Sequence, residues 1–178
     1  MLDIFIPENE LYDSERRVFI KIKPVTLRME HSLVSLYKWE AKFHKPFLES
    51  DKTPAEMLEY FKCMTVNKNL DPVYFNFLTS DDVLMIDSYM NESMTATTIS
   101  NVPNKGKGET WTAELIYYYM IVNGIPIECQ KWHLNQLFTL IRVCSVKNGP
   151  QEKMSKSEIM RQNKELNAAR LKKYNTKG

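Results

Sequence analysis

Histidines, cysteines and paired acids are the residues best able to do chemistry, and this chain spaces few of them usefully. Cys129 and His133 stand four apart, which would put two soft ligands on one face of a single helix. A structural zinc takes about four ligands, and the other histidines, His31 and His44, lie far back in the sequence. Cys129 and His133 would also suit a nucleophile and its base, but no protease-like motif surrounds them. His31 sits between Glu30 and Ser32. A helix-start role for these polar neighbours is simpler than a triad. Asp81-Asp82 suits a helix N-terminus, and Glu8 with Glu10 suits a solvated terminus. Neither pair has the apolar setting that splits two carboxyl pKa values for acid–base work. Asn104-Lys105-Gly106-Lys107-Gly108 has the residue types of a phosphate loop. The GxxxxGKS/T pattern is missing, however, and no strand-like run leads into it. No dinucleotide fingerprint, HExxH or GxSxG occurs. The expectation is a protein that is not an enzyme and holds neither metal nor cofactor.

The elements that would position any site are mostly helical. Val18, Ile20 and Ile22 alternate with Phe19, Lys21 and Lys23, but after Pro24 the apolar set becomes Val25, Leu27 and Met29. A period of two cannot change parity without a bulge or a turn. Arg17 to Met29 is therefore expected to form one interrupted strand or a tight hairpin bent at Pro24. Residues 1–16 show no clear period. Ser32 opens a helix to about Phe43, with Leu33, Leu36, Tyr37 and Glu40 on one stripe. Thr53-Pro54 with Glu56 has the form of a capping box, with proline at the first helical position, and predicts a helix to about Val66. Asp71-Pro72 repeats that start for a short helix over 73–78, and Ser80 is expected to cap a helix over 81–89. Thr95 to Ile99 reads as a short strand. Thr110 to Asn123 is apolar nearly all round, which predicts a central, buried helix. The Tyr117-Tyr118-Tyr119 run within it reads mainly as core. Pro126 opens the next helix, to about Lys147, with a stripe of Leu134, Leu137, Phe138, Ile141 and Cys144. Ser155 to Glu158 is a capping box that opens a last helix to about Tyr174.

The expected fold is mainly α: a compact helical domain with a small N-terminal β-strand or hairpin element (residues 1–147), followed by a basic C-terminal helical extension (148–178). With 178 residues, 43% of them hydrophobic and 26% charged, the chain can bury a core without disulfide staples. Cys63, Cys129 and Cys144 lie in apolar runs without a CxxC and read as reduced core thiols. The longest apolar run, Leu115 to Val122, is far short of the roughly 20 residues of a membrane span. No signal-like start precedes it, so a cytoplasmic location is expected. The net charge of +2 is unevenly spread: residues 147–178 carry nine Lys/Arg against three acids. A slightly acidic body thus bears a basic tail, which favours an anionic partner or docking within the chain.

Three stretches carry a resemblance. The first is Met29-Glu-His-Ser-Leu-Val-Ser-Leu-Tyr-Lys-Trp-Glu-Ala-Lys-Phe-His-Lys-Pro-Phe-Leu48. The second is Met94-Thr-Ala-Thr-Thr98, followed after the Gly/Lys loop by Thr112-Ala-Glu-Leu-Ile-Tyr-Tyr-Tyr-Met120. The third is Gly124-Ile-Pro-Ile-Glu-Cys-Gln-Lys-Trp-His-Leu-Asn135, with Leu140-Ile-Arg-Val-Cys144, Lys153-Met-Ser-Lys156 and Asn175-Thr-Lys-Gly178. Together they resemble the tail assembly chaperones of long-tailed bacteriophages, over most of the chain from about residue 17. The resemblance implies a non-enzymatic protein of the infected host cell's cytoplasm. Such a protein binds the long helical tape measure protein and keeps it soluble until major tail tube protein polymerises around it. Helix-in-groove contact would cover the apolar faces of that client.

The candidate partner-contact residues are Trp132 and His133 in the aromatic region, and Arg161, Arg170, Lys172 and Lys173 in the basic tail. Tyrosine and tryptophan are favoured at binding hot spots. Self-association into a homo-oligomer is compatible with the sequence. Two alternatives stand beside the chaperone. One is a structural component of the virion's tail, neck or baseplate. The other is a nucleic-acid binder acting through the basic tail, although no aromatics are interleaved there for base stacking.

Overall fold

Two prolines facing one another divide the N-terminal β element. β1 (Leu2–Ile6) pairs antiparallel with β4 (Val25–Met29), and β2 (Asn9–Asp13) pairs antiparallel with β3 (Val18–Ile22). Leu2 lies opposite Met29 and Asn9 opposite Ile22, so both ladders share one frame. Counting along that frame sets Pro7 across from Pro24. Neither proline has an N–H to donate, and the ladder lapses between the two segments. The element is thus one long hairpin in two parts. Of the two forms expected for Arg17 to Met29 this is the interrupted strand, not the hairpin: β3 and β4 follow each other along the same arm, broken at Pro24, and their partner is residues 2–13. No inserted residue absorbs the change of parity. Instead Ile4, Ile6, Leu27 and Met29 are buried, while every side chain from Arg17 to Lys21 is left exposed.

The computed structural model describes residues 1–13, 17–97 and 110–148, together with residues 160, 161, 163, 164, 166 and 167. The chain divides into two compact units, Met1–Val146 and Lys147–Gly178.

In the first unit the chain is mainly α with this small β hairpin. α1 (Leu33–Phe43) starts at Ser32, whose Oγ accepts from the Ser35 backbone while Ser35 Oγ accepts from the Ser32 N–H. It ends at His44, in the left-handed region at φ 54°. α2 (Pro54–Met64) has the capping box expected for Thr53 and Glu56. Pro72–Phe77 forms a 3-10 helix capped by Asp71. α3 (Ser80–Asn91) is capped by Thr79, one residue before the expected Ser80, and Asp82 completes the box. α4 covers Ala113–Val122 and α5 covers Leu134–Asn148. The described part of the expected strand at 95–99, residues 95–97, is not a strand.

The helix expected from Pro126 to Lys147 is also corrected. Residues Ile127–Lys131 form a separate 3-10 helix, and α5 begins only after His133. Tertiary bonds impose the break. Ser32 and His133 make an isolated antiparallel bridge, and the Leu134 N–H donates to His31 O at 2.8 Å. Those bonds require extended backbone where a continuous helix would have run.

The core joins the inner face of β1 and β4 to α1, α2 and α5. Leu27, Leu33, Leu36, Trp39, Tyr60, Leu134 and Leu137 are fully buried. Trp39 Nε1–H donates to Glu56 O at 2.9 Å, which satisfies the one polar atom of the largest buried side chain. The outer edge of β4 is closed by the chain after α2. Asn67 accepts from the Arg28 N–H at 2.7 Å and donates to Thr26 O at 3.0 Å, standing in for a neighbouring strand.

In the second unit, residues 160, 161, 163, 164, 166 and 167 are helical and exposed. The Ser155–Glu158 box lies outside the described residues, as does the Gly/Lys loop at 104–108.

Candidate partner-binding surface

Two glutamates fix the start of α4. Glu40, on the buried stripe of α1, accepts from the Phe47 N–H through Oε1 at 2.8 Å and from the Ala113 N–H through Oε2 at 2.7 Å. Glu49 Oε1 accepts from the Trp111 N–H at 2.7 Å. Anionic acceptors at a helix N-terminus satisfy its open N–H groups and complement its dipole. Thr112 Oγ1 adds a cap to Leu115. At the other end, Gly124 at φ +65° lets the chain turn back, and the Ile125 N–H donates to Met120 O at 2.8 Å.

Held this way, α4 buries Ala113, Ile116 and Met120 and turns Tyr118, Ile121 and Val122 outward, at 56, 75 and 61% exposure. The expectation of a central, wholly buried helix is corrected. α4 lies at the surface, and its apolar composition includes a face with no described covering. The helix-period signal cannot separate the two outcomes, because apolar and aromatic residues at every position from Leu115 to Val122 give no preferred face. Aromatic contacts stiffen the flanks. Trp111 stacks on Tyr119 at 5.4 Å and meets Phe138 edge-on at 5.6 Å, and Tyr117 meets Tyr37 edge-on at 6.3 Å. Tyr117 O–H donates to Gln130 at 2.7 Å, tying α4 to the 3-10 helix whose Ile127 is half exposed. Trp132, one residue past that helix, is 41% exposed. Such a ridge of apolar and aromatic side chains on a rigid helix is suited to packing against another helix.

His133 belongs to the interior. It is 5% exposed, so the expectation that its ring meets a partner is corrected. Its Nδ1 accepts from the Asn135 N–H at 3.3 Å, which caps α5 and leaves Nε2 to donate to Tyr89 O at 3.0 Å. Its ring packs edge-on against His31 at 5.2 Å between centroids. His31 Nδ1 lies 2.6 Å from Tyr60 Oη. Tyr89 O–H donates to Glu30 Oε1 at 2.5 Å, and Glu30 Oε2 pairs with the Met1 amino group at 3.2 Å. Burial, and secondarily the neighbouring His133, hold His31 down to about 3; burial also lowers His133. Burial pushes the Tyr60 and Tyr89 hydroxyls up, the hydrogen bond to Glu30 adding to the effect at Tyr89. Both rings are thus neutral, and both tyrosines keep their protons. The network ties β4, α2, α3 and α5 together. Nothing local in the sequence signals this contact between His31 and His133, about a hundred residues apart.

Cys129 and His133 do not share a helix, because Cys129 lies in the 3-10 helix and His133 beyond it. Among the described residues no group of three or more His, Cys, Asp or Glu is placed to hold a metal ion. No described helix is long and apolar enough to cross a membrane. Arg161 lies exposed in the helical part of the second unit, and Arg170, Lys172 and Lys173 lie outside the described residues. No protein-family model, curated protein or solved structure matches the chain.

Proposed function

We propose that this chain is a tail assembly chaperone of a long-tailed bacteriophage, acting in the cytoplasm of the infected cell. It covers apolar helix faces of the tape measure protein until major tail tube protein takes its place. The observation that carries the reading is the outward face of α4, where Tyr118, Ile121 and Val122 stand in solvent on a helix anchored at both ends. A soluble protein gains nothing for its own stability from an apolar face left in water, so such a face marks a contact. The motif resemblance names the client, and an unassembled helical client needs what this face offers, an apolar surface for an apolar helix stripe. Trp132 extends the contact, and the basic residues Arg161, Arg170, Lys172 and Lys173 supply a secondary, salt-sensitive one.

Co-expression with the tape measure protein of the same phage tests the proposal. The expected result is a soluble complex recovered by affinity pull-down. Ile121→Ser combined with Tyr118→Ser should cut the yield at least tenfold while leaving the thermal midpoint of the chaperone within about 2 °C. Absence of a complex, together with a fixed copy number of this chain in purified virions, would replace the chaperone with a structural component.

A further inference from the structure

The outer half of the hairpin is a second place where apolar side chains stand in solvent. Tyr12, Val18, Phe19 and Ile20 are 52, 48, 68 and 39% exposed. Tyr12 and Phe19 lie on one face with ring centroids 5.1 Å apart, and Val18 and Ile20 occupy the other. Among the described residues β3 pairs only with β2, so its outer edge is an unpaired strand. An isolated two-stranded hairpin is marginal in water, and an open apolar edge invites another strand.

We infer that this arm joins two copies of the chain, with β3 of each adding to β3 of the other in antiparallel fashion to make a four-stranded sheet. The sequence of β3, Val-Phe-Ile-Lys-Ile, is self-complementary about a two-fold axis at Ile20. Ile20 then faces its own equivalent, Phe19 faces Lys21, whose methylene stem can lie along the ring, and Val18 lies beside the second copy's Ile22, which is already buried in its own chain. The Lys21 charge is already balanced in each arm, where Glu10 is its direct cross-strand partner. The β2 edge offers no such match. Centred on Leu11, it would set Asn9 against Asp13 and Glu10 against Tyr12, with a single apolar pair. Aromatic side chains carry about 150–250 Å² each. At the observed exposures Val18, Phe19 and Ile20 leave about 300 Å² of apolar surface along β3 in each chain, to which the edge backbone adds. A two-fold pair therefore stays below about 1,000 Å², in the range of weak, transient interfaces, so the dimer forms only at high concentration. The inference is independent of the proposed client, since it rests on β3 and not on α4.

Sedimentation velocity of the full chain over a wide concentration range tests it. The mass should rise from 21.0 kDa toward twice that value as concentration approaches several hundred micromolar. Ile20→Lys should raise the dissociation constant at least tenfold with an unchanged far-ultraviolet spectrum, and Ile121→Ser on α4 should leave it unaltered. Ile20→Cys should form a disulfide-linked dimer under an oxidant that leaves the parent chain uncrosslinked. A chain that stays at 21.0 kDa at several hundred micromolar overturns the inference. So does a dimer that survives Ile20→Lys or is lost in Ile121→Ser.

Discussion

Replacing Glu40 by glutamine tests whether the position of α4 is set by the bonds described. Glu40 is 7% exposed, and both its oxygens accept backbone N–H groups, from Phe47 at 2.8 Å and Ala113 at 2.7 Å. A hydrogen bond to a charged group contributes about 1.5–3 kcal/mol, against about 1 for a neutral pair. Glutamine keeps one acceptor, and that bond falls from the charged to the neutral value. Its amide NH₂ meets the other N–H donor to donor, which leaves a buried donor unsatisfied at a cost of about 1–3 kcal/mol. The relieved desolvation of the carboxylate offsets part of this. The net expectation is a loss of about 2–4 kcal/mol, a large share of the 5–15 kcal/mol typical of a domain. Urea unfolding at neutral pH measures the loss. Native-state hydrogen exchange locates it, with the Ala113 and Phe47 amides losing protection before the core of α1 does. A loss below about 0.5 kcal/mol with both amides still protected would refute the argument that Glu40 anchors α4.

Acid should also weaken the fold through His31. Its imidazole takes up a proton near pH 6.5 when unfolded but only near 3 when folded, so the stability it confers is present above pH 6.5 and is lost as pH falls toward 3. At pH 5 the loss relative to pH 7.5 is about 2 kcal/mol from this group, and lowered His133 acts in the same direction. Urea titrations of the parent and His31→Gln at both pH values should show the gap between them closing by that amount; a constant gap would remove His31 as the cause. In α5, Leu137→Ala should cost about 2–5 kcal/mol because Leu137 is fully buried in the core. A midpoint shift equivalent to under 0.5 kcal/mol would place Leu137 on a relaxed, exposed face.

Local chemistry was the legible part of this chain. Thr53 with Glu56, Asp71 before Pro72 and Ser32 before Leu33 all announce helix starts through bonds within four residues, and each is present. The α5 stripe was legible too, with Leu134, Leu137 and Ile141 buried as the helical period requires. What failed depended on distant partners. Residues 2–13 lack a period because β1 and β2 face different surroundings, which nothing in the segment itself records. Pro24 leaves an interrupted strand and a hairpin bend both open, because its partner, Pro7, cannot be known before the register is. The helix from Pro126 broke at His133 because Ser32 and His31 claim its backbone. In α4 the residue types were read correctly and their environment was not.

The exposed face of α4 and the hairpin arm differ in how they are held, and this bears on what each can do. α4 is anchored by Glu40, Glu49, Thr112 and the turn at Gly124 before any partner arrives. Docking on it costs little ordering of the backbone, so even a small face can give useful affinity. On the proposed function, a client that tail tube protein later displaces calls for such a face, rigid enough to bind and small enough to release. The hairpin arm beyond the facing prolines is held by its own ladder, with Ile22 buried at its base and residues 17–21 exposed. Pairing with a second arm would supply the missing strands and double the number of client faces in one particle. Two faces of micromolar affinity on one dimer would engage a long repetitive helix with effective concentrations near millimolar, provided the client offers two stripes within reach. On this argument, disrupting β3 should weaken capture of a full-length client far more than capture of a single-helix fragment, and equal losses on the two clients would separate the arm from the work of α4.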